Sequence, residues 1–198
     1  MPCLSGLSGR RGIFVRTDMT EKVIVDEKTM QRTLQRLSHE IIEQNPGAET
    51  LYLVGIKRRG VPLAQRIGAN IELFSDIRVS TGELDITWYR DDLRKRYGDP
   101  KINEARIGFD VTGKHIILVD DVLYTGRTAR AAMEALIALG RPDRVQLLVM
   151  IDRGHRELPI SANYVGKNIP TSQDEVVKVR VPEFDGKMEV VLLKRDVR

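Results

Sequence analysis

Short apolar runs alternate with amphipathic helical patterns along most of this chain of 198 residues. Each run is short enough to be a buried strand and too short to be an independent buried helix. Strands that alternate with helices predict a mostly parallel sheet covered on both faces, so the expected fold class is α/β. The runs lie at 51–55, 115–119 and 145–151, and the helices begin at Asp26, at about 61 and at 127.

The remaining segments predict smaller pieces of sheet. Residues 77–81 and 84–90 are rich in β-forming side chains, and we expect them to pair around Gly82. Residues 176–181 and 188–193 predict a hairpin that turns at an Asp-Gly pair.

We expect one domain over residues 21–198, because the length suits a single α/β unit and no low-complexity linker divides it. Residues 1–20 have scattered glycine, serine and arginine and no apolar signal sequence, which predicts a disordered tail. No apolar run approaches the roughly 20 residues that span a bilayer. The single cysteine, Cys3, cannot form an internal disulfide, which fits a cytoplasmic protein.

The strand at 115–119 leads directly into two adjacent aspartates, Asp120 and Asp121. Carboxylates repel phosphate, but they accept hydrogen bonds from sugar hydroxyls and suit a magnesium ion with its waters. A helix start follows, with hydroxyl groups at Thr125 and Thr128, and free N–H groups at a helix start bind anions. An isolated pair of aspartates is usually a solvated turn. The whole string instead predicts a site for a ribose 5-phosphate.

A second loop, GIKRRG at 55–60, places three cations between two glycines after a buried strand. Such a charge run is usually a solvated surface. In a parallel sheet, however, ligands bind at the carboxyl ends of the strands, where this loop and the two aspartates are both expected. Lys57, Arg58 and Arg59 would then bind a second anion, a phosphate or a pyrophosphate.

Other functional signatures are incomplete. Residues 108–114 match most of a P-loop, but they lack its final serine or threonine and precede a strand. No dinucleotide-binding glycine pattern follows a strand, and the nucleophile elbow of hydrolases is absent. The three histidines and Cys3 do not have the spacing of zinc ligands.

The segment ILVDDVLYTGRT at 117–128 resembles the motif with which type I phosphoribosyltransferases bind 5-phosphoribosyl 1-pyrophosphate (PRPP). Three further segments, at 53–64, 84–93 and 151–172, resemble the family of pyrimidine operon regulatory proteins that are also uracil phosphoribosyltransferases. The resemblance covers about 20–198. It implies the type I phosphoribosyltransferase fold, a mostly parallel sheet with flanking helices, a hairpin and a small hood drawn from the N-terminal helix region and from about 153–198.

The resemblance also implies a reaction, in which uracil and PRPP give UMP and pyrophosphate with Mg²⁺ as cofactor. Mg²⁺ would enter with PRPP, and no protein ligand is assigned to it. The catalytic residues would be Arg90, Asp120 and Asp121, with the aspartates on the ribose hydroxyls. The PRPP-binding and phosphate-binding residues would be Lys57, Arg58, Arg59, Gly60, Asp120, Asp121, Val122, Leu123, Tyr124, Thr125, Gly126, Arg127 and Thr128.

Two further parts of the active site are implied. A flexible loop would close over PRPP, and the hood would cover the base, with the backbone at Val165 reading the edge of uracil. The loop would include Thr87, Trp88, Tyr89, Arg90, Asp91 and Asp92. The base-binding residues would be Asp152, Arg153, Tyr164, Val165 and Lys167.

The family further implies that a UMP-responsive chain binds a stem-loop in the leader of pyrimidine-operon mRNA and promotes transcription termination. The chain would act as a homodimer or homotetramer, with no membrane partner. RNA contacts would fall on Arg36, His39, Arg156 and Lys167.

Two positions depart from the family pattern, because Ser161 and Gln44 stand where basic residues can occur. Losing cations that face phosphates weakens RNA binding and its salt dependence. A salvage uracil phosphoribosyltransferase without RNA regulation is therefore an alternative. A sensor of PRPP or UMP with negligible turnover is a third, although the intact acidic and basic loops argue against it.

Overall fold

The computed structural model of the chain describes residues 19–86 and 106–195. The strands are β1 (Met19–Val25), β2 (Thr50–Ile56), β3 (Arg78–Leu84), β4 (His115–Leu123), β5 (Arg144–Asp152), β6 (Tyr164–Asn168), β7 (Glu175–Arg180) and β8 (Glu189–Arg195). The helices are α1 (Glu27–Gln44), α2 (Gly60–Phe74), α3 (Arg127–Leu139) and the short α4 (Pro182–Asp185).

A five-stranded sheet in the order β3-β2-β4-β5-β6 forms the centre of the fold, and all of its pairings are parallel. The predicted α/β class and parallel sheet are confirmed. One face packs against α1 and α2, and the other packs against α3 and the segment that precedes β4. A separate antiparallel sheet, β1-β8-β7, together with α4 forms the hood.

The predicted start of α1 is confirmed. The side chain of Asp26 accepts a hydrogen bond of 2.8 Å from the backbone N–H of Thr29, which satisfies one of the free donors at the helix start. The apolar positions spaced near 3.6 residues are all buried against α2 and the sheet, as that spacing predicts. They are Met30, Leu34, Leu37 and Ile41.

The prediction that two strands pair around Gly82 is wrong. β3 runs unbroken through Gly82 and pairs in parallel with β2 along its whole length, with Val54 opposite Gly82. Ile107 packs against Gly82, where an added Cβ would lie 3.3 Å from the Ile107 backbone. The glycine therefore marks a close approach of another segment within a strand, and no turn is present.

Several elements were missed because they carry weak local signals. No strand was predicted at β6, and β4 extends beyond its predicted end, through the aspartates to Leu123. β7 and β8 pair in antiparallel as predicted, but α4 lies between them, and Gly186 follows it with φ of 67°. β1, which pairs with β8, was also missed. Residues 1–18 of the predicted tail lie outside the described residues.

Candidate functional site

The two loops singled out in the sequence lie side by side at the carboxyl edge of the central sheet. The basic loop follows β2, the loop at 124–126 follows β4, and these strands are neighbours with Gly55 opposite Val119. The peptide between Lys57 and Arg58 is cis. The structure therefore brings together the carboxylates, the helix start and the cations.

Close backbone packing explains the glycines that flank the basic loop. An added Cβ at Gly60 would collide with the carbonyl oxygen of Val119, and one at Gly55 would lie 2.6 Å from the backbone nitrogen of Val61. Real Cβ atoms do not approach backbone this closely, so both positions require glycine. The contact at Gly60 also joins the basic loop directly to the strand that carries the aspartates.

Asp120 and Asp121 form the acidic part of the site. Asp120 is buried, with an exposed fraction of 8%, and its Oδ1 accepts a 2.9 Å hydrogen bond from the backbone N–H of Asp121. Oδ1 of Asp121 accepts a bond of the same length from the N–H of Val122. Burial, followed by repulsion from Asp121, raises the pKa of the Asp120 carboxyl well above its ordinary value. Burial also raises the pKa of Asp121, although the charge of Arg59 opposes that change.

We expect Asp120→Asn to stabilise the ligand-free protein increasingly as pH rises. A carboxyl whose pKa is raised on folding binds more protons folded than unfolded, so its contribution to stability falls as pH increases past the ordinary carboxyl pKa. The neutral amide removes this loss, and the gain at neutral pH should be on the order of 1 kcal/mol. Urea unfolding of both proteins from about pH 5 to about pH 8 measures the difference. If the difference in unfolding free energy between the two proteins did not change with pH, the raised pKa of Asp120 would be contradicted.

The start of α3 supplies the anion-binding part of the site. Gly126 is its N-cap with φ of 91°, a left-handed conformation that favours glycine. The Thr125 hydroxyl accepts a long hydrogen bond of 3.4 Å from the N–H of Arg127. The side chains of Leu158 and Ile160 lie 3.4 Å from an added Cβ at Gly126, so the turn is supported from behind. Backbone N–H groups at this helix start can therefore receive a phosphate.

The cations of the basic loop have different surroundings. The Lys57 ammonium lies 3.9 Å from a carboxylate oxygen of both Glu83 and Asp85, at the end of β3. Arg59 pairs with Asp185 of the hood at 2.7 Å. Arg58 is exposed, and it has no hydrogen bond or ion pair with any residue that the structure describes.

Two arginines predicted to contact ligands also contact the loop at 124–126 that follows β4. Arg153 is only 5% exposed, donates to the carbonyls of Ser172 and Glu175 at 3.2 and 2.8 Å, and lies 4.1 Å from the ring of Tyr124. Arg156 donates to the carbonyl of Tyr124 at 2.7 Å and pairs with the Asp152 carboxylate. These contacts hold the loop after β4, and direct ligand contacts by Arg153, Arg156 and Asp152 remain predictions.

The predicted base-binding residues of β6 differ in how far they are buried. Tyr164 is fully buried, and its hydroxyl donates to Gln146 at 3.2 Å and accepts from Asn45 at 3.4 Å. The structure therefore places the Tyr164 side chain in the core, away from the sheet edge where the two loops meet. Val165 is half-buried and Lys167 is exposed.

The predicted RNA-binding residues Arg36 and His39 lie exposed on α1. The Arg36 guanidinium donates to the carbonyls of Val165 and Gly166 at 2.9 and 2.7 Å and to Glu40 at 3.1 Å. The His39 ring stacks on Phe74 with centroids 4.4 Å apart. The structure thus connects the Arg36 position to the predicted base-binding strand, a link that nothing in the local sequence indicates.

The predicted flexible loop, Thr87 to Asp92 with Arg90, lies outside the described residues. Within 19–86 and 106–195, no cluster of three or more histidine, cysteine or acidic side chains could hold a metal ion by itself. None of the helices described there combines the length and apolar character needed to cross a bilayer.

Comparisons with known proteins agree with this geometry. Residues 22–183 match the family described as phosphoribosyl transferase domain. The chain is 57% identical over 175 residues to the bifunctional protein PyrR of Clostridium novyi, covering 88% of this chain and 98% of that one. It is 58% identical over 173 residues to the bifunctional protein PyrR of Thermus thermophilus, covering 87% and 96% of the two chains.

Solved structures support the same fold at lower identity. The hypoxanthine phosphoribosyltransferase of Trypanosoma cruzi superposes with a TM-score of 0.67 at 17% identity, over 88% of this chain and 97% of that one. A hypoxanthine phosphoribosyltransferase of Staphylococcus aureus gives 0.67 at 21% identity, over 88% and 93%.

Proposed function

The chain belongs to the phosphoribosyl transferase domain family and, within it, to the bifunctional PyrR proteins, and from this premise we propose that it has two linked activities. It transfers the phosphoribosyl group of PRPP to uracil, which yields UMP and pyrophosphate. It also binds the leader mRNA of a pyrimidine operon in response to UMP and so regulates transcription termination.

One observation supports the enzymatic half most directly: three chemically distinct groups converge at one edge of the sheet. PRPP has a 5-phosphate, two ribose hydroxyls and a pyrophosphate. The start of α3 suits the 5-phosphate, Asp120 and Asp121 suit the hydroxyls, and the cations at 57–59 suit the pyrophosphate. The aspartates and the helix start belong to β4 and the loop after it, and the cations follow β2, the neighbouring strand.

The chemistry that these residues perform is positioning and charge stabilisation. Departure of pyrophosphate from C1 of the ribose leaves a sugar with oxocarbenium character, and no protein nucleophile is required. Lys57, Arg58 and Arg59 would stabilise the charge that develops on the leaving pyrophosphate. The aspartates would hold the ribose so that C1 faces the nitrogen of uracil. Exclusion of water from the closed site would protect PRPP from hydrolysis.

Mg²⁺ fits this site as a companion of PRPP. Asp120 and Asp121 are carboxylates with pKa values raised by burial, so a cation nearby would stabilise their ionised forms. Two carboxylates alone do not complete the six oxygen ligands that Mg²⁺ prefers, and PRPP oxygens and water would supply the rest. When bound, the ion would neutralise charge on the pyrophosphate.

The base would bind under β6, with the main chain of Val165 contacting the edge of uracil. Main-chain N–H and C=O groups offer the donor and acceptor pattern that a pyrimidine edge requires. Asp152, Lys167 and the predicted loop residues Thr87 to Asp92 would complete the closed site.

The regulatory half relies on exposed basic residues that lie close to β6. Arg36 and His39 lie on α1, which packs beside β6, and Lys167 lies on β6 itself. Ser161 and Gln44 are both exposed, so the basic residues that can occur at these positions would face solvent. The salvage-only alternative is less favoured, because the relatives match the chain over nearly their whole length at 57–58% identity and are bifunctional by name. Assembly as a homodimer or homotetramer and a cytoplasmic location complete the proposal.

We expect the purified protein to form UMP from uracil and PRPP, and to retard its own pyrimidine-operon leader RNA in a gel-shift titration, more strongly with UMP present. Arg36→Gln should weaken RNA binding about tenfold, because it removes a cation from the proposed RNA face, while uracil turnover stays within about twofold. Arg141→Gln is the matched control, because Arg141 is an exposed arginine in the connection between α3 and β5. Turnover without any RNA retardation would support the salvage enzyme, and equal loss of both activities in Arg36→Gln would contradict a separate RNA face.

A further inference from the structure

Arg59 of the basic loop reaches across to the short hood helix α4. Its Nε donates to Oδ2 of Asp185 at 3.1 Å, and its Nη2 donates to Oδ1 at 2.7 Å. Both side chains are half-buried, with exposed fractions of 27% and 18%. Two parallel hydrogen bonds between a planar guanidinium and a carboxylate fix the direction of the arginine more firmly than a single contact does.

Asp185 is itself fixed in place. Its Oδ2 accepts a 3.1 Å hydrogen bond from the backbone N–H of Val181, and its own N–H donates to the Val181 carbonyl at 2.8 Å. Val181 is fully buried in the core that the hood shares with α1 and α2. The carboxylate is therefore attached to a rigid part of the hood, and through it Arg59 has a fixed reference point outside its own loop.

The pairing uses only one edge of the guanidinium. Nε and Nη2 face Asp185, whereas Nη1 makes no hydrogen bond to any residue between 19 and 86 or between 106 and 195. The carboxylate of Asp121 lies close enough for its charge to stabilise the arginine. Hydrogen bonding to Arg59 lowers the pKa of Asp185, so the pair remains charged at neutral pH. Arg59 is therefore oriented and still has donors available to an anion.

The other two cations of the loop have different surroundings. Lys57 lies 3.9 Å from each of two carboxylates, a distance beyond a hydrogen bond, and an ammonium has no planar face to orient. Arg58 is exposed. Arg59 forms a pair of two hydrogen bonds with a carboxylate of the hood, which fixes the direction of its guanidinium.

We propose that Asp185 is a positioning residue that holds Arg59 with its Nη1 edge directed to the pyrophosphate of PRPP. The inference rests on the proposed function, because it assumes that the loop binds this group. Asp185 makes no contact with the ligand itself and acts only through Arg59. The hood thereby contributes to pyrophosphate binding through Asp185, which lies 126 residues after Arg59 in the chain.

Steady-state kinetics on the full chain test the proposal. Asp185→Asn keeps an acceptor for the Val181 N–H but loses the charge that orients Arg59, so the KM for PRPP should rise about tenfold with little change in kcat. Calorimetric titration with inorganic pyrophosphate should show a similar loss of affinity. Glu183→Gln is the matched control, because it breaks a 2.7 Å pair between the same short helix and Arg66 of α2. This control should leave the KM for PRPP unchanged.

A double-mutant cycle separates positioning from a structural role. If Asp185 acts through Arg59, then Asp185→Asn should add nothing to the KM increase caused by Arg59→Ala. Additive effects, or an Asp185→Asn variant with wild-type KM and pyrophosphate affinity, would overturn the proposal while leaving the transferase function intact. A wild-type protein that neither binds pyrophosphate nor forms UMP would overturn the proposed function, and the positioning role with it.

Discussion

Asp121→Asn is expected to lower kcat/KM for PRPP by roughly 10- to 100-fold while the protein remains folded. The carboxylate is half-buried beside the basic loop, and an ionised acceptor for a ribose hydroxyl contributes about 1.5–3 kcal/mol more than no partner. The amide keeps the size of the side chain, and the Val122 N–H can still bond to its oxygen. Initial rates of UMP formation at varied PRPP concentration give the change.

The control for this variant is Asp174→Asn, which makes the same change at an exposed turn just before β7. Its kinetics should match those of the wild type. If Asp121→Asn also retained wild-type kcat/KM, the assignment of the two carboxylates to the ribose hydroxyls would be wrong.

Gly60→Ala should destabilise the protein by about 2–3 kcal/mol and weaken PRPP binding at least tenfold. A Cβ at this position collides with the Val119 carbonyl, and the neighbour is backbone within a central strand, which cannot move aside cheaply. Relief of the clash must therefore separate the basic loop from the strand that carries the aspartates. Urea unfolding measures the first effect, and calorimetric titration with PRPP measures the second.

Gly108→Ala is the comparison for this variant, because an added Cβ there meets no atom within 4 Å. The comparison variant should be close to wild type in stability and in PRPP affinity. Equal behaviour of the two alanine variants would show that the close approach at Gly60 is not required for the site.

Much of the fold followed from local pattern. The buried strands β2, β4 and β5 and the helices α1 and α3 have uniform apolar runs or a clear 3.6-residue spacing, and their positions are confirmed. β6 was missed because its sequence, YVGKN, contains a glycine and two exposed polar residues. Its strand conformation comes from pairing with β5 at the edge of the sheet. The sequence of the segment alone gives no indication of that pairing.

The candidate site likewise contains residues that carry a local sequence signal and residues that carry none. Asp120, Asp121, the α3 start and the basic loop each carry a local signal, and the parallel topology brings them to one edge. Asp185 was interpreted only as part of a turn, because its partner Arg59 is remote in sequence. The Arg156 contact to the Tyr124 carbonyl is likewise invisible before the chain is folded. The sequence therefore indicated candidate ligand-binding groups, but it did not indicate the residues that hold those groups in place.

The hydrogen bonds from Arg36 to the Val165 and Gly166 carbonyls have a thermodynamic consequence. If UMP contacts the main chain of β6 while RNA contacts Arg36, these hydrogen bonds provide a direct link through which binding of one ligand can change the affinity for the other. Such coupling is reciprocal, so any factor by which UMP tightens RNA binding is also the factor by which RNA tightens UMP binding. If UMP tightens RNA binding, the protein bound to a leader transcript would have a higher affinity for UMP than the free protein has.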